Sequence, residues 1–208
     1  KDMELNINAN VTFQRNKLLS LSGMYNGEMI SAPEYKSLAS LDGAGFHGGY
    51  NHIVYQMVGQ PLGVFYLPHS TGLVSDGNGG YTYGIADLNG GGVNLEDGED
   101  RYVAGQAVPK TILGSNISFR YKHFDLSVQI NGAFGHKIYN GTSLTYMNMN
   151  IFPDYNVMKS APKQNIKDQT ATDYWLEKGN YVNFDYVTLG WNVPIEKVQK
   201  LKLSLIHI

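Results

Sequence analysis

The chain has no cysteine among its 208 residues, which excludes disulfide staples and thiolate metal centres. Charge is also scarce: 16% of residues are Asp, Glu, Lys or Arg, and the formal net charge is −2. A balance so close to neutral gives no electrostatic footing for nucleic acid or an anionic membrane surface. Long apolar runs are missing too, and none approaches the ~20 residues a membrane-spanning helix requires. That excludes a helical span but leaves strand-built spans open, because only alternate residues of a membrane strand meet lipid. No signal-peptide pattern is present. Lys1 stands almost inside an alternating run, and Leu201–Leu203 begins another, so the chain is expected to be a piece of something longer. Leu203–Ile208 is expected to be a non-native tail.

What is plentiful is glycine, with 24 residues, and tyrosine, with 15, the materials of tight turns and aromatic strands. Leu113–Tyr121 and Phe124–Phe134 alternate apolar with small polar residues and close on each other around Lys122–His123. In that register Tyr121 faces Phe124, Phe119 faces Leu126, Ile117 faces Val128 and Ser115 faces Ile130. On the other side Arg120 meets Asp125 in a favourable cross-strand match, Ser118 meets Ser127, and Asn116 meets Gln129. A strand has a side-chain period of two, so one face is apolar and the other polar. The polar face is mostly Ser, Asn and Gln rather than the Lys and Glu of a soluble sheet. A transmembrane barrel wall requires this division between lipid and an aqueous lumen.

The first run alternates Leu5, Ile7, Ala9, Val11 and Phe13 with Asn6, Asn8, Asn10, Thr12 and Gln14. It reaches the ~9–11 residues of a tilted membrane strand. Asparagine is poor in soluble strands, and a water-filled lumen explains three on one face. A fourth run alternates Val187, Leu189, Trp191 and Val193 with Thr188, Gly190 and Asn192. Upstream, Val182, Phe184 and Tyr186 have the opposite parity, the slip that a β-bulge near Asp185 produces. The expected lipid-facing set is Leu5, Ile7, Val11, Phe13, Ile117, Phe119, Leu126, Val128, Ile130, Val187, Leu189 and Trp191. The expected lumen-facing set is Asn6, Asn8, Asn10, Arg120, Asp125 and Gln129. Tyr121, Phe124, Tyr181 and Trp191 near strand ends suit an interfacial aromatic girdle.

The fold class expected is therefore all-β: an antiparallel transmembrane β-barrel segment of four strands, at about 4–15, 111–121, 124–135 and 181–193, plus the start of a fifth at 201–203. Residues 16–110 and 136–180 hold no comparable alternation and read as two long external loops. Within the first, Pro33–Leu41 reads as a short helix capped by Ser31, and Tyr81, Tyr83 and Ile85 as a short strand. Short connections at Lys122–His123 and Pro194–Lys200 alternate with the long ones, as in barrels with short periplasmic turns and long outer loops.

These residues resemble a known family. Asp173-Tyr-Trp-Leu-Glu-Lys-Gly-Asn-Tyr-Val-Asn-Phe-Asp-Tyr-Val-Thr-Leu-Gly-Trp-Asn-Val-Pro194 is similar to the strand near the C-terminus of SusC/RagA-type TonB-linked outer-membrane proteins. Val58–Tyr66 resembles the same family, as does Pro109–Asn140 with its Tyr-Lys-x-Phe-Asp-Leu-Ser turn and Lys-Ile-Tyr-Asn ending. The matches fall in the family's order; Asn183 and Trp191 depart from its usual Arg and Tyr. The resemblance implies a plugged barrel of about 22 strands in the bacterial outer membrane, with plug, TonB box and most of the wall outside this chain. It implies import of oligosaccharide or peptide, with outer-membrane lipid and a SusD-like surface lipoprotein as partners and TonB engaged through the missing N-terminal regions.

The sharpest ligand candidate is Asp87–Arg101. Calcium loops present oxygens at alternate positions and close with an acid; here Asp87 and Asn89 are the expected ligands, with Asp100, Asp97 or Glu99 closing. Gly91 stands where a third oxygen belongs, so a polar turn is the competing reading. No other cofactor is expected. Gly43-Ala-Gly45-Phe-His-Gly48 matches a dinucleotide pattern but lacks the strand before and helix after that the mechanism needs. The six His lack metal spacing, and neither a nucleophile elbow nor a singled-out carboxylate pair is present, so no enzyme is expected. Tyr50, Tyr55, Phe65, Tyr66, Tyr81, Tyr83, Tyr146, Tyr155 and Tyr174 either pack the long loops or offer stacking surfaces for sugar or protein. A secreted β-sandwich that binds carbohydrate is the rival reading.

Overall fold

A computed structural model of the chain describes residues 3–41, 51–96 and 99–194. The Gly43–Gly48 pattern, Tyr50, Asp97, the expected strand at 201–203 and the tail lie outside the described residues. In chain order the strands are β1 (Met3–Phe13), β2 (Gly23–Tyr25), β3 (Glu28–Ile30), β4 (Tyr35–Ser40), β5 (His52–Met57), β6 (Val64–Pro68) and β7 (Ser70–Ser75). They continue with β8 (Tyr81–Ile85), β9 (Arg101–Gln106), β10 (Thr111–Tyr121), β11 (Phe124–Phe134), β12 (Lys137–Tyr139), β13 (Leu176–Lys178) and β14 (Tyr181–Trp191). Two short helices, α1 (Gly141–Tyr146) and α2 (Ala161–Gln164), lie between β12 and β13.

The chain divides into two units. The first contains the four long strands, each of 11 residues, in one antiparallel sheet ordered β1-β10-β11-β14. The β10–β11 register runs from Tyr121↔Phe124 to Thr111↔Phe134, the pairing that the alternation predicts. Lys122 turns the hairpin with φ +53°. β1 joins on one side from Met3↔Tyr121 to Phe13↔Thr111. On the other side β14 slips by one residue: Gln129 pairs with Tyr186 and Ile130 with Phe184. Asp185 is the extra residue, so the bulge falls where the change of parity puts it.

The second unit comprises 14–109 and 135–179, and it is far from structureless. It holds a four-stranded sheet ordered β4-β5-β6-β9 and three two-stranded ribbons, β2-β3, β7-β8 and β12-β13. Its core joins Ile53, Phe65, Leu67, Tyr83, Leu144, Ile166 and Ala171, and a second cluster joins Tyr55, Val64 and Tyr66. β6 is buried along its whole length. A strand covered on both faces reads as a continuous apolar run instead of an alternation, which is why this sheet escapes a search for period two. The helix expected at Pro33–Leu41 is instead β4, whose Tyr35, Lys36 and Ser37 pair with Met57, Gln56 and Tyr55. Pairing with a strand that arrives later in the chain overrides the local helix signal. The short strand expected around Tyr81–Ile85 is present as β8.

Candidate functional site: a two-faced wall

Successive residues of the four-stranded sheet point to opposite faces, so the register assembles rows across it. One face carries Leu5, Phe119, Leu126 and Leu189 in one row and Ile7, Ile117, Val128 and Val187 in the next. Ile130 and Phe184 extend it past the bulge. These side chains are not covered: Leu189 is 75% exposed and Phe13 80%. A β-sandwich would bury such a face beneath a second sheet about 10 Å away; here it stands open. At the hairpin end the face finishes in Met3, Tyr121, Phe124 and Trp191, with the last two rings stacked at 6.2 Å and 14°. At the far end stand Phe13 and Phe134. Ten residues at ~3.3 Å separate these rows, and a strand tilt of ~40° gives an apolar band about 25 Å high. Tyr181 does not join the girdle expected of it. It pairs with Ala133 and so lies on the opposite face.

That opposite face is a field of amides and hydroxyls. Asn116 Nδ2 donates to Gln129 Oε1 at 3.1 Å and to Tyr186 Oη at 3.2 Å. The bulge brings Asp185 onto this face, where it accepts from Asn131 Nδ2 at 2.6 Å and Asn183 Nδ2 at 3.0 Å. Two glycines make room for side chains that lie flat: a Cβ at Gly114 would strike Asn10, and one at Gly190 would strike Asp125. Near the hairpin turn the face hollows into a cavity of about 360 Å³ lined by Glu4, Asn6, Ser118, Arg120, Asp125 and Asn192 among others. Arg120 and Asp125 are directly opposed, yet among the described residues they close no ion pair. Asp125 instead accepts from Asn192 Nδ2 at 3.2 Å, and Glu4 from Asn6 Nδ2 at 2.9 Å.

In the second unit the 87–101 loop closes on itself. Asp100 is fully buried and accepts the N–H groups of Leu88 at 2.6 Å, Asn89 at 3.3 Å and Asn94 at 2.8 Å. The bonds from Asn94 and Leu88 hold its carboxyl below the usual carboxylate range. Asp87 accepts from the N–H of Gly90 at 2.6 Å and of Gly92 at 3.0 Å, and Asn89 Oδ1 accepts from Gly91 N–H at 2.9 Å. All three expected ligands thus cap backbone donors, and among the described residues no three His, Asp or Glu converge as a metal set.

No family model matches the sequence. The chain is 26% identical over 217 residues to TonB-dependent receptor P3 of Formosa agariphila, covering 94% of this chain and 20% of that protein. TonB-dependent receptor P26 of the same organism is 27% identical over 126 residues, 54% of this chain and 12% of that protein. Among solved structures, the RagAB peptide transporter superposes with a TM-score of 0.62 at 12% identity, over 94% of this chain and 21% of that one. The RagAB peptide importer in its closed-closed state gives 0.63 at 14%, over 95% and 22%.

The chain is thus similar to TonB-dependent receptors over nearly its whole length and shares the fold of the matching part of the RagAB structures. It spans about a fifth of the length of the proteins it matches.

Several residues of this chain stand out only in three dimensions. Tyr186 shares a parity with Val182 and Phe184 but turns to the polar face, because the bulge intervenes. In the second unit Asp173 gathers three donors: Tyr102 Oη at 2.6 Å, Ser70 N–H at 2.6 Å and His69 Nδ1 at 2.8 Å. No spacing in the sequence announces that node, since Asp173 lies 71 to 104 positions from its partners. Of the aromatics considered for stacking, Tyr55, Phe65, Tyr66 and Tyr83 are core residues, whereas Tyr81, Tyr155 and Tyr174 reach the surface.

Proposed function

We propose that this chain supplies a section of wall and the extracellular loops of a TonB-driven importer of oligosaccharides or peptides, working with a SusD-like surface lipoprotein. In this reading the face of Leu5, Ile7, Val128, Leu189 and Trp191 meets lipid, and the face of Asn6, Asn8, Asn10, Arg120, Asp125 and Gln129 lines an aqueous lumen. Lys122–His123 lies on the periplasmic side, and the 14–109 and 135–179 segments lie outside the cell. TonB acts through parts of the receptor beyond this fifth.

One observation carries the proposal: a single sheet with large apolar side chains exposed on one face and an amide field on the other. In water such a face invites aggregation; in a bilayer it is the stable arrangement. Among the described residues β1 and β14 are the edges of the sheet, which fits the same account, because closure of a barrel pairs every edge strand. The relatives, receptors and transporters by their names, support it. In the full-length receptor, Val128→Arg is expected to abolish most of the heat-modifiable barrel, while Gln129→Arg leaves it near normal. Equal yields of the two variants would overturn the face assignment.

A further inference from the structure

Asn-Gly pairs begin at Asn26, Asn78, Asn89, Asn131 and Asn140. Glycine has no Cβ to shield its own N–H, so its nitrogen can close on the side-chain carbonyl of the asparagine before it. What separates these pairs is how each is held. Asn89 donates to Glu99 Oε2 at 2.7 Å and accepts from Gly91 N–H at 2.9 Å, while Gly90 N–H is bound to Asp87 at 2.6 Å. Asn140 caps α1, accepting from Ser143 N–H at 2.9 Å and donating to Glu177 Oε1 at 2.8 Å. Asn131 lies within the β11 ladder, and its amide donates to Asp185 at 2.6 Å. Asn78 is looser, with its amide 3.5 Å from Asp76 O. Its turn is still pinned, because Asp76 Oδ1 accepts the N–H groups of Asn78 and Gly80 at 2.7 and 2.8 Å, and Asn165 Nδ2 donates to Gly79 O at 2.6 Å.

Asn26 has no such restraint. With Gly27 it makes the two-residue turn of the β2–β3 ribbon, at φ +50° and +84°, the left-handed pair of a type I′ turn. Among the described residues neither the Asn26 side chain nor the Gly27 N–H has a hydrogen-bond partner. Every residue of β2 and β3 is exposed, and none belongs to either core cluster. A two-stranded ribbon without such packing opens at little cost, which gives the backbone access to the geometry of attack. We propose that Asn26 is a site of spontaneous deamidation, with water as the only co-reactant. Gly27 N gives up its proton to solvent and bonds to Asn26 Cγ; the Cγ–Nδ2 bond breaks and ammonia leaves, closing a cyclic imide. Water then opens the ring. Cleavage at the side-chain carbonyl leaves an aspartate, and cleavage at the main-chain carbonyl leaves an isoaspartate whose chain runs through Cβ. One water enters, one ammonia departs, and nothing is oxidised or reduced. Either product puts a new carboxylate close to Glu28. Isoaspartate also adds a main-chain atom to a turn built for two residues, so the pairing of Tyr25 with Glu28 is lost. The ribbon belongs to the second unit, and the inference does not depend on which face of the four-stranded sheet meets lipid.

The test incubates the full-length receptor, folded in detergent, in mildly alkaline buffer made with heavy-oxygen water. Peptides from timed digests are read by tandem mass spectrometry, and isoaspartate is counted by methyl transfer from a protein isoaspartyl methyltransferase. Heavy oxygen should enter the 26–27 pair about tenfold or more faster than 89–90, 131–132 or 140–141, as expected where the others must first break one or two hydrogen bonds. The 78–79 pair should fall between. In urea-unfolded receptor the pairs should convert at comparable rates, which assigns the order to structure. Asp87→Ala, which removes the acceptor of the Gly90 N–H, should raise conversion at 89–90 severalfold and leave 26–27 unchanged. Conversion at 26–27 no faster than at the bonded pairs in the folded receptor would overturn the proposal. So would the same order of rates in folded and unfolded receptor, or no rise at 89–90 in Asp87→Ala.

Discussion

The two units of this chain solve opposite problems with the same alphabet. In the second unit the large side chains face inward: Tyr55, Leu67, Leu144 and Ile166 are fully buried, and the order comes from a conventional core. In the four-stranded sheet the large apolar side chains of one face stand open, and Met3, Leu5, Ile7, Val11 and Phe13 are each more than half exposed. The sheet's order comes from its ladder, with unbroken registers of 11 pairs on either side of β10. The comparison teaches that exposure of apolar surface is not a defect where the surrounding solvent is itself apolar. On the function proposed above, it also accounts for long regular strands in one unit and short ones in the other. A strand in lipid must satisfy every backbone group by pairing, whereas a water-exposed unit can end a strand wherever a turn is available.

The sharpest way to break this comparison is to remove side chains from each unit. In the full-length receptor, Leu67→Ala should destabilise the second unit by about 2–5 kcal/mol, as core truncations do. Faster hydrogen exchange across β5, β6 and β9 is expected, with the heat-modifiable barrel intact. Leu189→Ala on the open face should leave that exchange pattern unchanged. Comparable losses in both units would mean that the sheet's apolar face is packed as a core.

Charge sharpens the contrast. Arg at Val128 should cost roughly 2–4 kcal/mol at the bilayer midplane, and Arg at Gln129 much less, read from urea titration of the folded receptor in bilayers. The second unit should be more tolerant of charge on its surface, so Thr71→Arg, on exposed β7, is expected to change its exchange rates little.

Acid provides a smaller effect confined to the second unit. Asp168 is desolvated, which raises its pKa, but bonds from the Thr82 hydroxyl and from the Thr170 N–H and hydroxyl outweigh this and hold it below the ordinary value. A depressed carboxylate contributes its stability in full above the unfolded-state value of ~3.9, and loses it as pH falls below that value and through the folded one. Protection of β8 against exchange should therefore decline only in that acidic window. Asp168→Ala should cost about 1–3 kcal/mol at neutral pH through its stranded donors and flatten the dependence. An unchanged pH profile in the variant would assign the acid sensitivity elsewhere.

The smallest effect belongs to the hairpin turn. Lys122 holds φ +53°, a left-handed conformation that L-residues disfavour and glycine does not. Lys122→Gly should stabilise the β10–β11 hairpin by about 1 kcal/mol or less, measured as a shift in the receptor's urea midpoint. A destabilised variant would show that the lysine makes a contact worth more than its backbone strain.

Much of the sheet was legible in the sequence for a simple reason. Its polarity alternates with period two over whole strands, and opposed pairs such as Phe119–Leu126 and Asn116–Gln129 follow from adding residue numbers about a two-residue turn. Even the bulge at Asp185 is written as a change of parity. The second unit was not legible in this way. β6 is apolar throughout because it is buried on both faces, and β4 imitates a helix start. Its decisive contacts are remote, such as Thr82 with Asp168 and Tyr102 with Asp173, and no local pattern encodes a partner 71 to 86 positions away.

By itself, then, the sequence determined the strand-built wall, its register and its two faces, because side-chain period and turn length leave a hairpin little freedom. Tertiary structure alone decided that the intervening segments fold around a core, and that Asp87, Asn89 and Asp100 accept backbone N–H groups of their own loop. It also decided that Tyr186 turns to the polar face beside Asn116, and that among the described residues Asp125 bonds Asn192 rather than the opposed Arg120. Those outcomes depend on which side chains compete for the same partner, and competition is settled only when distant parts of the chain meet.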